Sequence, residues 1–313
     1  MNDYVISVIS LMCIESFVAL SAYLLLITGQ ISFGQQAYFG IGAYLGGALT
    51  TMWGFDLVTA IVIASVIAGL IAAGVGALTF RLGGLYFAIA TLAFAELVRL
   101  VWVNLNHQVS VDDVMTGPKG PEGFRDIRYV IENDISATGY LWFILLWLGI
   151  VIAFFVLLER SRFGLALRMI ENEEAAAASV GLNPTRYKVI VAGLAGLIAA
   201  IGGVLFAHFM TFIDPRNFGV MLGVHALAYG MIGGLGTFFG PLIGVAIDIG
   251  LLESLRVFSS YRMIVFGSLV ALILIFRPRG LLDERTVHRL SIAVRAWFTS
   301  TAEAGKAVAN DRR

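Results

Sequence analysis

Apolar stretches follow one another along the chain, at 4–28, 31–52, 57–80, 85–103, 140–158, 188–210, 221–235, 238–257 and 263–276. Most are close to the roughly twenty residues that a helix needs to cross a hydrocarbon core of about 30 Å. The pattern predicts an all-α polytopic membrane protein with about nine transmembrane helices. The count runs from eight to ten, because 221–235 is short for a span. Two polar stretches break the series. Residues 104–139 carry Pro118 and Pro121 in the turn-rich TGPKGPEG, and residues 159–187 form a second, more basic loop.

The stretch GQISFGQQAYFGIGAYLGG (29–47) combines many glycines with Gln30, Gln35 and Gln36. Glycine lets membrane helices come into backbone contact, and it lets a helix break where freed backbone groups find partners. Gly42 and Gly46 make a GxxxG pair on one helical face. The glutamines need protein or water beside them, so Gln30, Gln35 and Gln36 are candidate translocation-pathway residues. A similar order of features recurs. Gly29–Gly40 leads through two segments to Phe80-Arg81-x-x-Gly84-Leu85, and GGLGTFFGPLIG (233–244) leads through two more to Phe276-Arg277-x-x-Gly280-Leu281. An internal repeat or a shared glycine bias accounts for this equally.

Composition agrees with the pattern. The chain is 59% hydrophobic and 13% charged, with a mean hydropathy of +0.88, against roughly 25% charged residues in a soluble domain. The formal net charge is +0, so no global field points to nucleic acid. The one cysteine, Cys13, sits in an apolar run and reads as a small buried hydrophobe. MNDYVISVIS has no basic stretch before the first apolar run, so a cleaved signal peptide is not expected. Arg160, Arg162, Arg168 and Arg186, and then Arg277, Arg279, Arg285 and Arg289, put both basic regions on the cytoplasmic side. The more acidic 104–139 loop then lies outside, as does the N-terminus after nine crossings.

Ionisable residues inside the apolar runs are few. Glu96 and Arg99, three apart, share a helix face and read first as a self-neutralising pair near an interface. As an intramembrane charge, Glu96 is also carried as a pathway candidate. Glu253 and Arg256 have the same spacing near Asp248. His208 and His225 read as satisfied helix-end residues. No metal-ligand spacing, nucleophile–base motif or cofactor signature is present, so neither catalysis nor a cofactor is expected.

The loop RSRFGLALRMIENEEAAAASVGLNPTRYK (160–188) predicts a helix over 163–180. Gly181 would be the left-handed residue that stops it, and Asn183-Pro184 would open the next helix. Four consecutive alanines beside Glu171, Glu173 and Glu174 leave a low face suited to docking in a cleft on another protein.

With GQISFGQQAYFGIGAY (29–44), GGLYFAIATLAFAELVR (83–99), ENEEAAAASVGLNPTRYK (171–188), AYGMIGGLGTFFGPLIG (228–244) and YRMIVFGSLVALILIFRPRGLL (261–282), the chain resembles the LivM-type permease subunits of branched-chain amino-acid ABC importers. The resemblance implies a non-catalytic transmembrane subunit in the bacterial inner membrane, forming half of a translocation pathway. Its partners would be a homologous second permease, two ABC ATPase subunits and a periplasmic substrate-binding protein. It implies a permease domain over 1–285, a periplasmic loop at 104–139, and a cytoplasmic coupling loop at 159–187. In that loop Glu171, Glu173, Glu174, Ala175, Ala176 and Gly181 would meet the ATPase. Residues 286–313 would be a cytoplasmic tail, with Val287, Leu290, Val294 and Trp297 on one face, a pattern that suits either the membrane surface or a solvated tail. No GxxxxGK[ST] loop is present, so ATP would bind another chain. Branched-chain amino acids are the default cargo and urea or short amides the alternative. A stand-alone secondary carrier would need an ion site, for which Glu96 and Arg99 are poor material.

Overall fold

The Asn183 side chain accepts a hydrogen bond from the Arg186 amide, and Pro184 occupies the first helical position. Together they open a 27-residue helix, α9 (Pro184–Met210), that becomes the buried axis of the protein. The computed structural model describes residues 3–111, 114–253, 262–277 and 280–282. Around α9 lie α1 (Asp3–Leu26), α2 (Gln35–Thr51) and α3 (Leu57–Thr79), all packed against it. Next come α4 (Leu85–Asn104), a three-stranded antiparallel sheet of β1 (Val109–Val111), β2 (Val114–Pro118) and β3 (Phe124–Arg125), and the short α5 (Tyr129–Glu132). Then follow α6 (Ala137–Arg160), α7 (Arg162–Asn172), α8 (Glu174–Ser179), α9 and α10 (Val220–Gly233). The series ends with α11 (Phe239–Val245), continued by a π-helical stretch (Ala246–Glu253), and α12 (Arg262–Phe276). Five of these helices, α1, α3, α4, α6 and α9, are long and apolar enough to cross a membrane, and α10, α11 with its extension, and α12 are shorter apolar helices.

Small residues set the packing around α9. A Cβ at Gly42 would overlap the backbone of Ala200, and one at Gly203 would overlap the backbone of Phe39. A Cβ at Gly46 would come within 2.6 Å of the Val204 side chain. Thus α2 and α9 meet backbone to backbone, as expected of the GxxxG pair.

The connections gather at two ends. At one, Phe124 and Ile213 exchange backbone hydrogen bonds of 2.8 and 3.0 Å, and the Tyr129 hydroxyl donates to Asp56, the N-cap of α3. That hydrogen bond, followed by the Val58 amide, holds the Asp56 carboxyl below its ordinary pKa. At the other end, Arg168 donates to the Gly236 carbonyl at 3.2 Å and the Phe238 amide donates to Glu159 at 3.0 Å. The chain after α12 returns there, with the Leu281 and Leu282 amides bonded to Ile232 and Gly233.

Three expectations change. The 163–180 helix is two helices, broken at Glu173, whose backbone is extended (φ −156°, ψ 108°). One straight helix cannot bury Ala166, Leu167 and Ile170 of α7 and also seat Ala177 against the body with Glu174 on Lys188. The 104–139 loop contains the small sheet, and the 238–257 run changes from α- to π-helix at Ala246. The two similar segments share a backbone device. Gly29 and Gly234, and then Gly84 and Gly280, all have positive φ (73°, 99°, 55° and 76°). Arg256, the partner expected for Glu253, and the 286–313 tail, with its face at Val287, Leu290, Val294 and Trp297, lie outside the described residues.

Candidate functional site

At the second end, α7 and α8 lie across the mouth of the helix bundle. Ser161 caps α7 by accepting from the Gly164 amide. The buried side of α7 faces the body, while Leu165 and Met169 are 63% and 38% exposed along its outer stripe. In α8 only Ala177 is buried. Ala175, Ala176 and Ala178 face outward, as do Glu171, Glu173 and Glu174. Gly181 follows with φ +89°, the left-handed turn expected after this helix. Lys188, 4% exposed, reaches Glu174 at 2.7 Å and ties α8 to the second turn of α9. The sequence conceals this tie, because Lys188 reads as the first residue of an apolar run. Nor does it single out Glu159, which accepts from the Phe238 amide and from the Tyr23 hydroxyl at 3.4 Å. That carboxylate joins α6, α1 and the 234–238 turn beneath α7.

The glutamines sit where α2 starts at this end. Gln30 is half-buried in the turn before it, whereas Gln35 and Gln36 are buried. The Ser21 hydroxyl lies 2.5 Å from Gln35 Oε1 and 2.7 Å from the Ala195 carbonyl. One hydroxyl hydrogen cannot serve both. Turning the Gln35 amide end for end lets its otherwise unpartnered Nε2 donate to Ser21, which then donates to Ala195. Gln35 thereby clamps α1, α2 and α9. Gln36 points the other way, against Gly223 of α10, and its buried Oε1 has no hydrogen-bond partner among the described residues. Two turns on, Tyr44 stacks on Trp102 at 4.3 Å, and both its hydroxyl and the indole N–H are buried without partners. His208 is satisfied as expected, with Nδ1–H donating to Val204 and Nε2 accepting from Thr50.

Glu96 does not join the glutamines. Arg99 grips it through Nε at 2.9 Å and Nη2 at 2.5 Å. The pair keeps 40% (Glu96) and 25% (Arg99) of its side-chain surface open. Along α4, Glu96 lies about 12 Å and Arg99 about 7.5 Å from Asn104 at about 1.5 Å per residue. A charge at the centre of a lipid-facing helix costs about 2.5–3.5 kcal/mol on insertion scales. This flank of α4 therefore needs protein or water against it. Among the described residues, no three His, Cys, Asp or Glu side chains form a group able to hold a metal ion.

The family described as branched-chain amino acid transport system, permease component, matches residues 4–276. Among curated proteins, the high-affinity branched-chain amino acid transport system permease protein LivM of Salmonella typhimurium strain LT2 is 30% identical over 278 residues. The same protein of Escherichia coli K12 gives the same identity over the same length. Each alignment covers 82% of this chain and 64% of the relative, so the chain spans a little under two thirds of the length of those proteins. The LivH permease of E. coli K12 is 29% identical over 143 residues, 45% of this chain and 46% of that one. No solved structure matches the chain.

Proposed function

The chain belongs to the branched-chain amino acid transport permease family, and from that premise we propose that it is the membrane subunit of an ATP-driven importer of branched-chain amino acids. It forms half of the translocation pathway. A second permease supplies the other half, two separate ABC ATPases drive it, and a periplasmic binding protein delivers the cargo. The observation that carries this reading is the outward alanine face of α8 at the end where the arginine-rich loop gathers. Small residues there let an ATPase cleft approach the α8 backbone closely, while Leu165 and Met169 of α7 supply apolar contact. Glu171, Glu173, Glu174, Ala175 and Ala176 form this coupling surface, and Gly181 sets its angle. Gln30, Gln36 and Glu96 lie along the pathway, with Gln35 as the clamp behind it.

In this reading the chain crosses the membrane nine times, by α1, α2, α3, α4, α6, α9, α10, α11 with its π-helical extension, and α12. The N-terminus and the 104–139 loop are outside, and α7–α8 and the C-terminus inside. A shallow groove at the outer end, lined by Arg125, Asp126, Arg128 and Phe212 among others, offers Arg125, seated over the Phe212 ring, to a docking protein, while Arg128 is ion-paired with Asp126. With Cys13→Ser as background, Glu122→Cys should react with a membrane-impermeant thiol reagent in intact cells and Glu173→Cys only after lysis. The opposite pattern would reverse the orientation. Function is tested by reconstituting the permeases, ATPases and binding protein in vesicles. Leucine uptake should require ATP and survive collapse of ion gradients. Uptake that follows an ion gradient without ATP would mean a secondary carrier.

A further inference from the structure

The Glu96–Arg99 pair does more than neutralise itself. On α4, Thr91, Ala95, Val98 and Trp102 form the stripe turned to α2, where Thr91 accepts from the Phe33 amide and Trp102 stacks on Tyr44. One flank of that stripe holds Phe94, which packs on Tyr38. At 3.6 residues per turn, Leu92, Glu96 and Arg99 fall on the opposite flank. Gly40 and Tyr44 of α2 meet Phe218, and Gln36 meets Gly223 of α10, so α10 lies along that second side of α2. With Gly223 turned to α2, the helical repeat turns Val220 and Val224 toward α4, and these keep 41% and 38% of their surface open. The result is a furrow with a bidentate ion pair on one wall and two branched apolar side chains on the other. The unpartnered Gln36 Oε1 lies at its inner end.

We propose that this furrow is a subsite for a zwitterionic amino acid with an aliphatic side chain. Arg99 takes the α-carboxylate in its planar fork and Glu96 takes the α-ammonium. Val220 and Val224 receive the side chain. In the empty protein the two charges satisfy each other, and an incoming zwitterion replaces both partners without leaving a charge bare. Glu96 lies near the middle of α4, the level at which secondary transporters hold cargo between their two openings. The inference rests on the importer reading above, because it needs a second subunit to close the open side.

The test uses the complete importer in vesicles with leucine as the probe, and ATP-driven uptake by the wild-type assembly checks the importer reading separately. Glu96→Gln/Arg99→Gln preserves shape and leaves no net charge. In assemblies recovered at wild-type yield, leucine uptake should fall about a hundredfold or more, tenfold for each of the two charges removed. If the pair served only to neutralise itself, the double variant would take up leucine as the wild type does, and that result would overturn the subsite. Leu92→Cys, on the same flank, checks the furrow without touching either charge. In a Cys13→Ser importer it should react with a charged methanethiosulfonate and be protected by leucine. No reaction in any nucleotide state would place this flank in a dry contact and also overturn the proposal.

Discussion

Ala176→Trp should leave the protein abundant and inserted in the membrane, yet abolish ATP-driven uptake and reduce recovery of the ATPases with the permease. The substituted side chain starts from an outward-facing position, so nothing within the chain has to move. Alanine presents almost no relief, so a cleft shaped to it has no room for an indole. Interior packing tolerates little added volume, and overfilling it typically costs about 1–3 kcal/mol. Ala177→Trp would be a poor substitute, since Ala177 is 0% exposed and the change would damage the chain itself. Gly181→Val separates shape from angle. A Cβ there has open space around it, so the penalty comes from φ +89° alone, about 1 kcal/mol or more for a β-branched residue. The expected result is weakened coupling, with α8 tilted off Lys188. Full uptake and full ATPase recovery in Ala176→Trp would show that α8 is a solvated connection and would remove the coupling assignment.

Gly42→Leu should damage folding far more than any change on the outer face of α8. Its first added carbon falls on the backbone of Ala200, which cannot rotate aside as a side chain would. The helices must separate, and the close approaches at Gly46 and Gly203 open with them. The cost is expected at or beyond the upper end of the usual overpacking range of about 1–3 kcal/mol. Little monodisperse protein should survive detergent extraction. Gly149→Leu on α6 is the control, because a Cβ there meets nothing within 4 Å. Equal yields from the two variants would mean that the α2–α9 contact does not hold the fold.

The sequence is informative where one residue type decides local geometry. Gly181 can be assigned a left-handed turn and Asn183-Pro184 a helix start, because few alternatives serve there. The apolar runs locate the helices for the same reason, since hydrophobic length and spanning length are coupled. What stays hidden depends on direction rather than on identity. Gln35 and Gln36 are adjacent and chemically alike, yet one clamps α1 to α9 and the other faces α10. Only their separation of about 100° around α2 distinguishes them. The break at Glu173 is invisible because the residues around it are good helix formers, and tertiary seating overrides that preference. Arg99 does not stand out as a site residue because its partner is only three positions away. Which flank of α4 the pair occupies needs Phe94 and Tyr38 in three dimensions.

The glycine contacts along α9 also restrict how the protein can move. Sliding α2 by one residue would carry a side chain into a slot made for a hydrogen atom, so α1, α2, α3 and α9 are obliged to travel as one rigid body. Freedom is left to α4, which is joined to α3 through Gly84, a residue already in the left-handed half of backbone space and with open space around it. That hinge lies at the end occupied by α7 and α8. Force applied to that end works close to the pivot, so a small displacement there would be multiplied along the length of α4 into a wider opening at its other end.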